Sequence, residues 1–330
     1  MSKPRFAMYW AASCGGCEIA VLNTHEKILD VDANFDVVFW PVAMDAKYKD
    51  VEAMEDKSIL LTLFNGAIRN DENAQIARLL RRKSQILVAF GACATEGGIP
   101  ALANLSDKQA IFDTAFNTIS TENPNHILPQ TRWNMPEGEI TLPELYPIVK
   151  SLDQVIPVDY YMPGCPPESH QIAAVIDLVI QVLQGKAELP PKGAVIGAGS
   201  STVCEECQRA RNEKKIKQFL RIQDIKPDPA LCLLEQGVLC NGPATRSGCN
   251  AVCPTAGMPC AGCYGPADGA MDQGARLLSA VASVIDARDP KEIEIILDGI
   301  PDPAGMFYRF GMAGSLLRAS KMAQQAKSGK

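Results

Sequence analysis

Eight of the twelve cysteines in this 330-residue chain fall within residues 203–266: Cys204, Cys207, Cys232, Cys240, Cys249, Cys253, Cys260 and Cys263. Ten of the thirty positions from 237 to 266 are Gly or Pro. Glycine costs backbone entropy and proline removes a donor, so this stretch holds neither a long helix nor a central strand. It also lacks the apolar periodicity that lets an element bury a face. Thiolates around metal would hold such a segment, and eight ligands make two four-cysteine sites. The pairs Cys204-x2-Cys207 and Cys260-x2-Cys263 suit zinc or an iron–sulfur cluster. A zinc knuckle usually draws on two local pairs, whereas Cys232 and Cys240 stand alone, and Cys253 is followed by Pro254 as in ferredoxin-type loops. The spacing leans towards iron–sulfur and leaves open a zinc-binding structural or interaction module.

The other four cysteines belong to the first half of the chain. Residues 6–12 read as a buried strand that runs into Ser13-Cys14-Gly15-Gly16-Cys17, with a helix over 18–31. Further strands are expected at 35–42, 58–64, 85–90 and 155–161, with helices at 71–82, 107–120 and 168–183. Strands alternating with helices imply a parallel sheet covered on both faces. In such sheets ligands bind beyond the carboxyl ends of the strands. Cys14 and Cys17 follow the first strand, Cys93 follows the fourth and Cys165 the fifth, so all four are expected to converge as a third site. Gly15, Gly16, Gly91 and Gly164 beside them permit close backbone approach and offer N–H donors to an anionic group.

Residues 185–201 read as a linker, and the Pro-rich 124–147 as a loop. The expected architecture is α/β: a flavodoxin-like parallel-sheet domain over 1–190, then an irregular, cluster-organised domain with a few helices over 191–330. Amphipathic helices are expected at 270–287 and 306–319, 292–297 is a short apolar run of uncertain type, and 321–330 is a polar tail. The net charge of −6 argues against a nucleic-acid partner. No run approaches the roughly 18 apolar residues of a membrane span. The N-terminus shows no signal peptide or twin-arginine leader, and Arg81-Arg82 lies on an expected helix. A cytoplasmic location is therefore expected, where twelve cysteines argue for metal over disulfides.

The runs Cys14-Gly-Gly-Cys17-Glu18, Gly91-Ala-Cys93-Ala and Pro163-Gly-Cys165-Pro-Pro167, in that order and followed by eight cysteines, resemble the small subunit of [NiFe] hydrogenases over nearly the whole chain. The resemblance implies a proximal [4Fe–4S] cluster on Cys14, Cys17, Cys93 and Cys165, beside the nickel–iron centre of a separate large subunit. It implies a medial cluster on Cys249, Cys253, Cys260 and Cys263, and a distal cluster on Cys204, Cys207, Cys232 and Cys240. Many respiratory members have His at the first distal ligand and three cysteines at the medial cluster. Cys204 and Cys253 depart from that pattern, which implies three [4Fe–4S] clusters. With the missing leader, this resembles the cytoplasmic group that includes the F420-non-reducing (viologen-reducing) hydrogenase, whose partners are an electron-accepting iron–sulfur subunit and heterodisulfide reductase. The F420-reducing hydrogenase small subunit is the near rival. Relatives in respiratory complex I usually have adjacent cysteines in the first motif, which Cys14-x2-Cys17 disfavours.

On that resemblance hydrogen is split in the partner and this chain holds no catalytic residue. Glu18 is a candidate proton relay, although a first-turn carboxylate facing the helix dipole is the plainer reading. His25, His126 and His170 are isolated, and surface or satisfied core positions are expected for them. The closely spaced glycines of 193–199 follow Pro-Pro and open no βαβ unit, so no nucleotide loop is expected. Cysteines fill the phosphate-binding turn after the first strand, so no flavin is expected in this chain.

Overall fold

Five apolar runs form one parallel sheet in the computed structural model, which describes residues 3–212 and 215–319. They are β1 (Arg5–Trp10), β2 (Asp36–Phe39), β3 (Ile59–Asn65), β4 (Ser84–Phe90) and β5 (Tyr160–Met162). Their spatial order, β2-β1-β3-β4-β5, is that of the flavodoxin-like doubly wound fold. Helices α1 (Gly16–Leu22) and α2 (Ile28–Asn34) follow β1, α3 (Tyr48–Glu52) follows β2, and α4 (Asp71–Lys83) follows β3. Then α5 (Ala92–Glu96) and α6 (Lys108–Phe116) follow β4, and α7 (Ser169–Leu183) follows β5. One sheet face packs Phe39, Phe64 and Leu87 against Val51, Ile76 and Leu80. The other packs Met8, Leu63 and Phe90 against Val21, Val31 and Ile172. Burial on both faces is why the strands read as unbroken apolar runs rather than as alternating ones.

Four expectations change in detail. The helix expected over 18–31 breaks at a 3₁₀ turn, His25–Lys27, where His25 has φ 54°. The Pro-rich 124–147 is not all loop. It contains an antiparallel hairpin, Arg132–Met135 with Gly138–Thr141, and the start of a strand, Leu145–Lys150, that pairs with Ile68–Asn70. That sheet has two strands, so Pro147 sits where an edge tolerates the missing donor. The run at 292–297 lies inside a helix. The helix expected at 306–319 is instead a five-residue helix ending at Phe307 and a 3₁₀ turn, Met312–Gly314. The tail 321–330 lies outside the described residues.

After residue 190 regular structure is sparse: α8 (Val203–Glu206), α9 (Val252–Thr255), α10 (Gln273–Ala282), α11 (Pro290–Asp298) and α12 (Pro303–Phe307). Their apolar faces gather Val203, Phe219, Leu233, Leu277, Val281 and Phe307 around the buried Cys240 and Cys260. The turn at 312–313 returns to the sheet and packs with Cys93, Ala101 and Val149, so the two regions share a seam. Among the described residues no helix is long and apolar enough to cross a membrane.

A buried ion pair fastens the fifth strand to its neighbour. Asp159 is 6% exposed and accepts from the Leu87 amide (2.9 Å), from Arg81 and from Lys192 (2.8 Å). Burial pushes its carboxyl up, but the bonds from Arg81, Lys192 and Leu87 outweigh this and hold it below the usual carboxylate range. Its contribution is therefore present above the ordinary carboxylate pKa and lost as pH falls through the lowered folded value. Asp159→Asn is expected to cost about 1–3 kcal/mol near pH 7, since Arg81 loses its carboxylate partner and keeps only the Ser84 and Gln85 carbonyls. In urea unfolding across pH, the gap from wild type should close below about pH 4; a pH-independent gap would refute the electrostatic origin.

Candidate functional site

The first four-cysteine set forms where the carboxyl ends of β1, β4 and β5 meet. Cys14 leaves β1 and Cys17 opens α1, Cys93 lies in the first turn of α5, and Cys165 follows β5. The backbone joins these ends: the Gly91 amide donates to Met162 O (2.8 Å) and the Ala92 amide to Gly164 O (2.7 Å). Cys17 and Cys93 are buried, while Cys14 and Cys165 are exposed, so the set sits at an open edge. Burial pushes the Cys17 thiol well up, and negative charge on Cys93, Glu18, Cys165 and Cys14 pushes it the same way. Cys93 is raised to about 12, first by burial and then by Cys165 and Cys14.

Close approach explains the glycines. Gly91 has φ +83°, which L side chains rarely adopt, and a Cβ there would lie 2.4 Å from Cys17 Sγ. A Cβ at Gly98 would lie 2.7 Å from Cys93 Sγ, and one at Gly242 would lie 3.1 Å from Cys204 Sγ.

Two further sets form in the second region. Cys204, Cys207, Cys232 and Cys240 line one cavity together with Arg209, Arg211 and Pro254. Burial raises Cys204 to about 12, Cys240 and Cys232 add to it, and Arg211 opposes it. Cys249 lies near Cys253, and Cys263 feels Cys165, Cys249 and Cys253, while Cys260 feels Cys240 and Cys263. This last set therefore touches both others. The Cys263 sulfur accepts from the Cys165 amide, and the Cys260 amide donates to Cys240 Sγ (3.3 Å). None of the twelve cysteines is in a disulfide.

The donor chemistry fits clusters. Buried thiols such as Cys17, Cys93, Cys204 and Cys263, which burial and neighbouring cysteines keep protonated, become thiolates only around a multivalent cation. Backbone N–H groups already point at sulfur: Gly16 at Cys14 (3.4 Å), Ala251 and Val252 at Cys249, and Gly262 at Cys260. Such donors tune iron–sulfur sites. Among the described residues no three Cys, His, Asp or Glu side chains are gathered tightly enough for one metal ion. His25, His126 and His170 are all exposed, as expected.

Glu18 is 2% exposed. Asn65 Nδ2 donates to its Oε2 (2.9 Å), Oε1 has no partner, and burial raises the carboxyl despite the Asn65 bond.

Three polar side chains that carry no spacing signal hold the sets in register. Gln171, on α7 just after Cys165, accepts from the Tyr264 hydroxyl and donates to Gly248 O (2.5 Å), beside Cys263 and Cys249 respectively. Arg209 donates to Pro254 O (2.9 Å), Asp228 O (2.8 Å) and Leu231 O (3.0 Å), tying Cys253 to the segment of Cys232. Asn241, next to Cys240, donates its side chain to Ala261 O and Met306 O (both 3.1 Å). Single Gln, Arg and Asn residues look like surface positions in a sequence; only their burial against loop carbonyls reveals them.

The geometry predicts that Gly91→Ala costs about 2–4 kcal/mol, from left-handed strain plus overpacking against Cys17. Gly185 also has positive φ, but an added methyl there would meet nothing within 4 Å, so Gly185→Ala should cost only about 1–2 kcal/mol. Equal losses in thermal unfolding would refute the steric reading.

A family described as the 20 Kd subunit of NADH ubiquinone oxidoreductase matches residues 14–179. The chain is 39% identical over 320 residues to the iron–sulfur subunit of the F420-non-reducing hydrogenase of Archaeoglobus profundus, covering 95% of this chain and 97% of that one. It is 36% identical over 321 residues to the like-named subunit of the F420-non-reducing hydrogenase of Methanothermobacter marburgensis, covering 96% of each. A chain of the oxidised [NiFeSe] hydrogenase from Desulfovibrio vulgaris Hildenborough shares the fold, with a TM-score of 0.51 at 17% identity over 82% of this chain and 95% of that one.

Proposed function

The chain belongs to the family of F420-non-reducing hydrogenase iron–sulfur subunits, the small subunits of a [NiFe] hydrogenase, and from that premise we propose that it relays electrons from hydrogen oxidation in the large subunit, through three [4Fe–4S] clusters, to an iron–sulfur acceptor subunit and on towards heterodisulfide reductase. Cys14, Cys17, Cys93 and Cys165 hold the proximal cluster. Cys249, Cys253, Cys260 and Cys263 hold the medial one, and Cys204, Cys207, Cys232 and Cys240 the distal one. When bound, such clusters supply one-electron chemistry over a wide range of potential. The observation that carries the reading is the contact order of the thiols: Cys165 to Cys263, then Cys260 to Cys240. Residues 1–190 and 191–330 are assigned as the two domains, and the complex as cytoplasmic.

As a small subunit the chain pairs with a large subunit. We assign that contact to the open edge around Cys14 and Cys165. Apolar side chains on the neighbouring elements are left exposed there: Trp10, Ile19 and Ile99 are 40%, 59% and 45% exposed. An obligate, desolvated interface of more than about 2,000 Å² would cover them. Glu18, buried beside Cys17 with one oxygen unpartnered, is the proton-relay candidate on that side.

Anaerobically purified protein should carry about twelve iron and about twelve sulfide per chain. About two zinc per chain with no sulfide in the eight-cysteine region would instead establish the zinc module.

Cys204→Ser separates the outlet from the inlet. Oxygen is a harder ligand than sulfur and weakens one iron of the distal site. Hydrogen–deuterium exchange, which needs no electron exit, should survive, while hydrogen-dependent reduction of the natural acceptor should fall at least about tenfold, a loss of about 1.4 kcal/mol or more of transition-state stabilisation. Loss of isotope exchange with acceptor reduction intact would reverse the assignment.

A further inference from the structure

One excursion of the chain folds without burying anything. Among the described residues, none from 105 to 148 is buried, although α6 and the hairpin of Arg132–Met135 with Gly138–Thr141 form within them. Trp133, Met135, Ile140 and Leu142 are 53%, 47%, 56% and 55% exposed, and Ile119 and Ile127 ahead of them are more exposed still. None of these six side chains belongs to the apolar clusters that hold the rest of the molecule together.

The hairpin is nevertheless amphipathic. Side chains alternate across a strand, so Trp133 and Met135 share a face. The register sets Ile140 opposite Trp133, and the Leu142 amide extends the ladder to Thr131 O (3.0 Å). Trp133, Met135, Ile140 and Leu142 therefore form one apolar face. The opposite face carries Arg132, Asn134, Glu139 and Thr141, with Arg132 3.3 Å from Glu139. That is the pattern of a sheet with one face in a core, yet no described residue covers the apolar side. A two-stranded hairpin is marginal by itself in water, and wet apolar surface forfeits about 25 cal/mol per Å².

The root of this excursion is fixed to the strand-end edge that carries Cys14. Just before Cys14, Ala12 and Ala67 exchange backbone hydrogen bonds (3.1 and 3.0 Å). Ile68–Asn70 then pairs with Leu145–Lys150, the strand that the hairpin leads into. At the foot of the hairpin the Asp71 amide donates to Glu144 O (3.2 Å), and the Glu144 amide donates to Asp71 Oδ1 (2.9 Å). On the other side, Asn104 bonds both backbone groups of Val149 (3.0 and 2.7 Å) from the 3₁₀ segment Ile99–Leu105, which begins at the exposed Ile99. The excursion thus continues the surface on which Trp10, Ile19 and Ile99 lie open. We propose that residues 119–142 are an arm that reaches from this edge over the large subunit and lays the Trp133, Met135, Ile140 and Leu142 face on an apolar strip of it. The proposal rests on the reading that the edge around Cys14 and Cys165 faces the large subunit. Continuity with that edge selects the large subunit over a second copy of this chain.

The test is photo-cross-linking in the intact hydrogenase complex, with p-benzoylphenylalanine placed at Trp133 or, in a separate preparation, at Ile99. Irradiation should join this chain to the large subunit from both positions. Capture of the large subunit from Ile99 but not from Trp133 would overturn the arm and leave the edge assignment standing. Capture of it from neither position would overturn the edge assignment, and the arm with it. Capture of a second copy of this chain, or of an electron-accepting subunit, from Trp133 would assign the face to that partner and overturn the proposal. A paired substitution checks the energetics. Trp133→Asp with Ile140→Asp changes side chains that are not buried within this chain, so the sheet should still fold. The fraction of this chain eluting without the large subunit in size exclusion of the diluted complex should rise at least about tenfold. Asn134→Asp, on the polar face, should leave that fraction unchanged. Equal retention of the large subunit by the paired variant and by Asn134→Asp would refute the apolar contact.

Discussion

Buried thiols that cannot ionise together are the constraint on which this molecule depends. Cys17, Cys93, Cys204, Cys240, Cys260 and Cys263 are each raised chiefly by burial and further by neighbouring cysteines. Without a cation the thiols stay protonated and contribute little more than small apolar side chains. With one, each becomes a ligand whose binding energy is also folding energy. This accounts for the uneven distribution of regular structure. The first region has a sheet buried on both faces and would cohere by hydrocarbon packing. The second has helices of four to ten residues and Gly- and Pro-rich loops around its own apolar cluster, and on the proposed reading the sites it surrounds add to its coherence.

The sites in turn depend on how the two regions are fastened. Gln171 satisfies both ends of its amide on the loops that carry Cys249 and Cys263, while its helix starts from Cys165. A single buried amide thus fixes the separation of two thiol sets that lie more than eighty residues apart in sequence. Arg209 performs the corresponding role for the next pair by holding three carbonyls in one planar fork. The turn at 312–313 packs against Cys93 from the other side. On the proposed reading, electron transfer between sites demands a fixed separation more than a particular ligand geometry, and these clamps would supply it.

Much of this was legible in the sequence because parallel sheets obey a strong rule. Once residues 6–12, 85–90 and 155–161 are read as strands of one parallel sheet, Cys14, Cys93 and Cys165 must share an edge. The strand at 145–150 was not legible because Pro147 disqualifies a central strand, and nothing local announces a two-stranded edge that tolerates it. The break at His25 was hidden because a short 3₁₀ turn leaves apolar spacing on either side nearly intact. The tail helix failed for the opposite reason: apolar residues at 306–319 serve two different cores, with Phe307 in the second region and Met312 at the seam. Gln171, Arg209 and Asn241 were invisible because a hydrogen bond to a distant carbonyl leaves no periodicity behind.

The two ends of the thiol chain differ in what surrounds them, and the difference bears on how each partner is held. At the proximal edge the exposed neighbours are Trp10, Ile19 and Ile99, side chains whose exposure is costly in a free chain. A face of that kind suits a partner that assembles once and stays. Around the distal four the lining includes Arg209 and Arg211, and Arg211 stands 3.9 Å from Glu205. Exposed ion pairs add little net affinity but shape approach and orientation. A rim of that kind suits a contact formed by steering and released without a large apolar area to re-expose. On the proposed reading, the same chain therefore meets its electron source through packing and its electron acceptor through charge. Cys165 to Cys263 and Cys260 to Cys240 connect those two unlike surfaces, running from the exposed Cys165 to the buried Cys260 and Cys240.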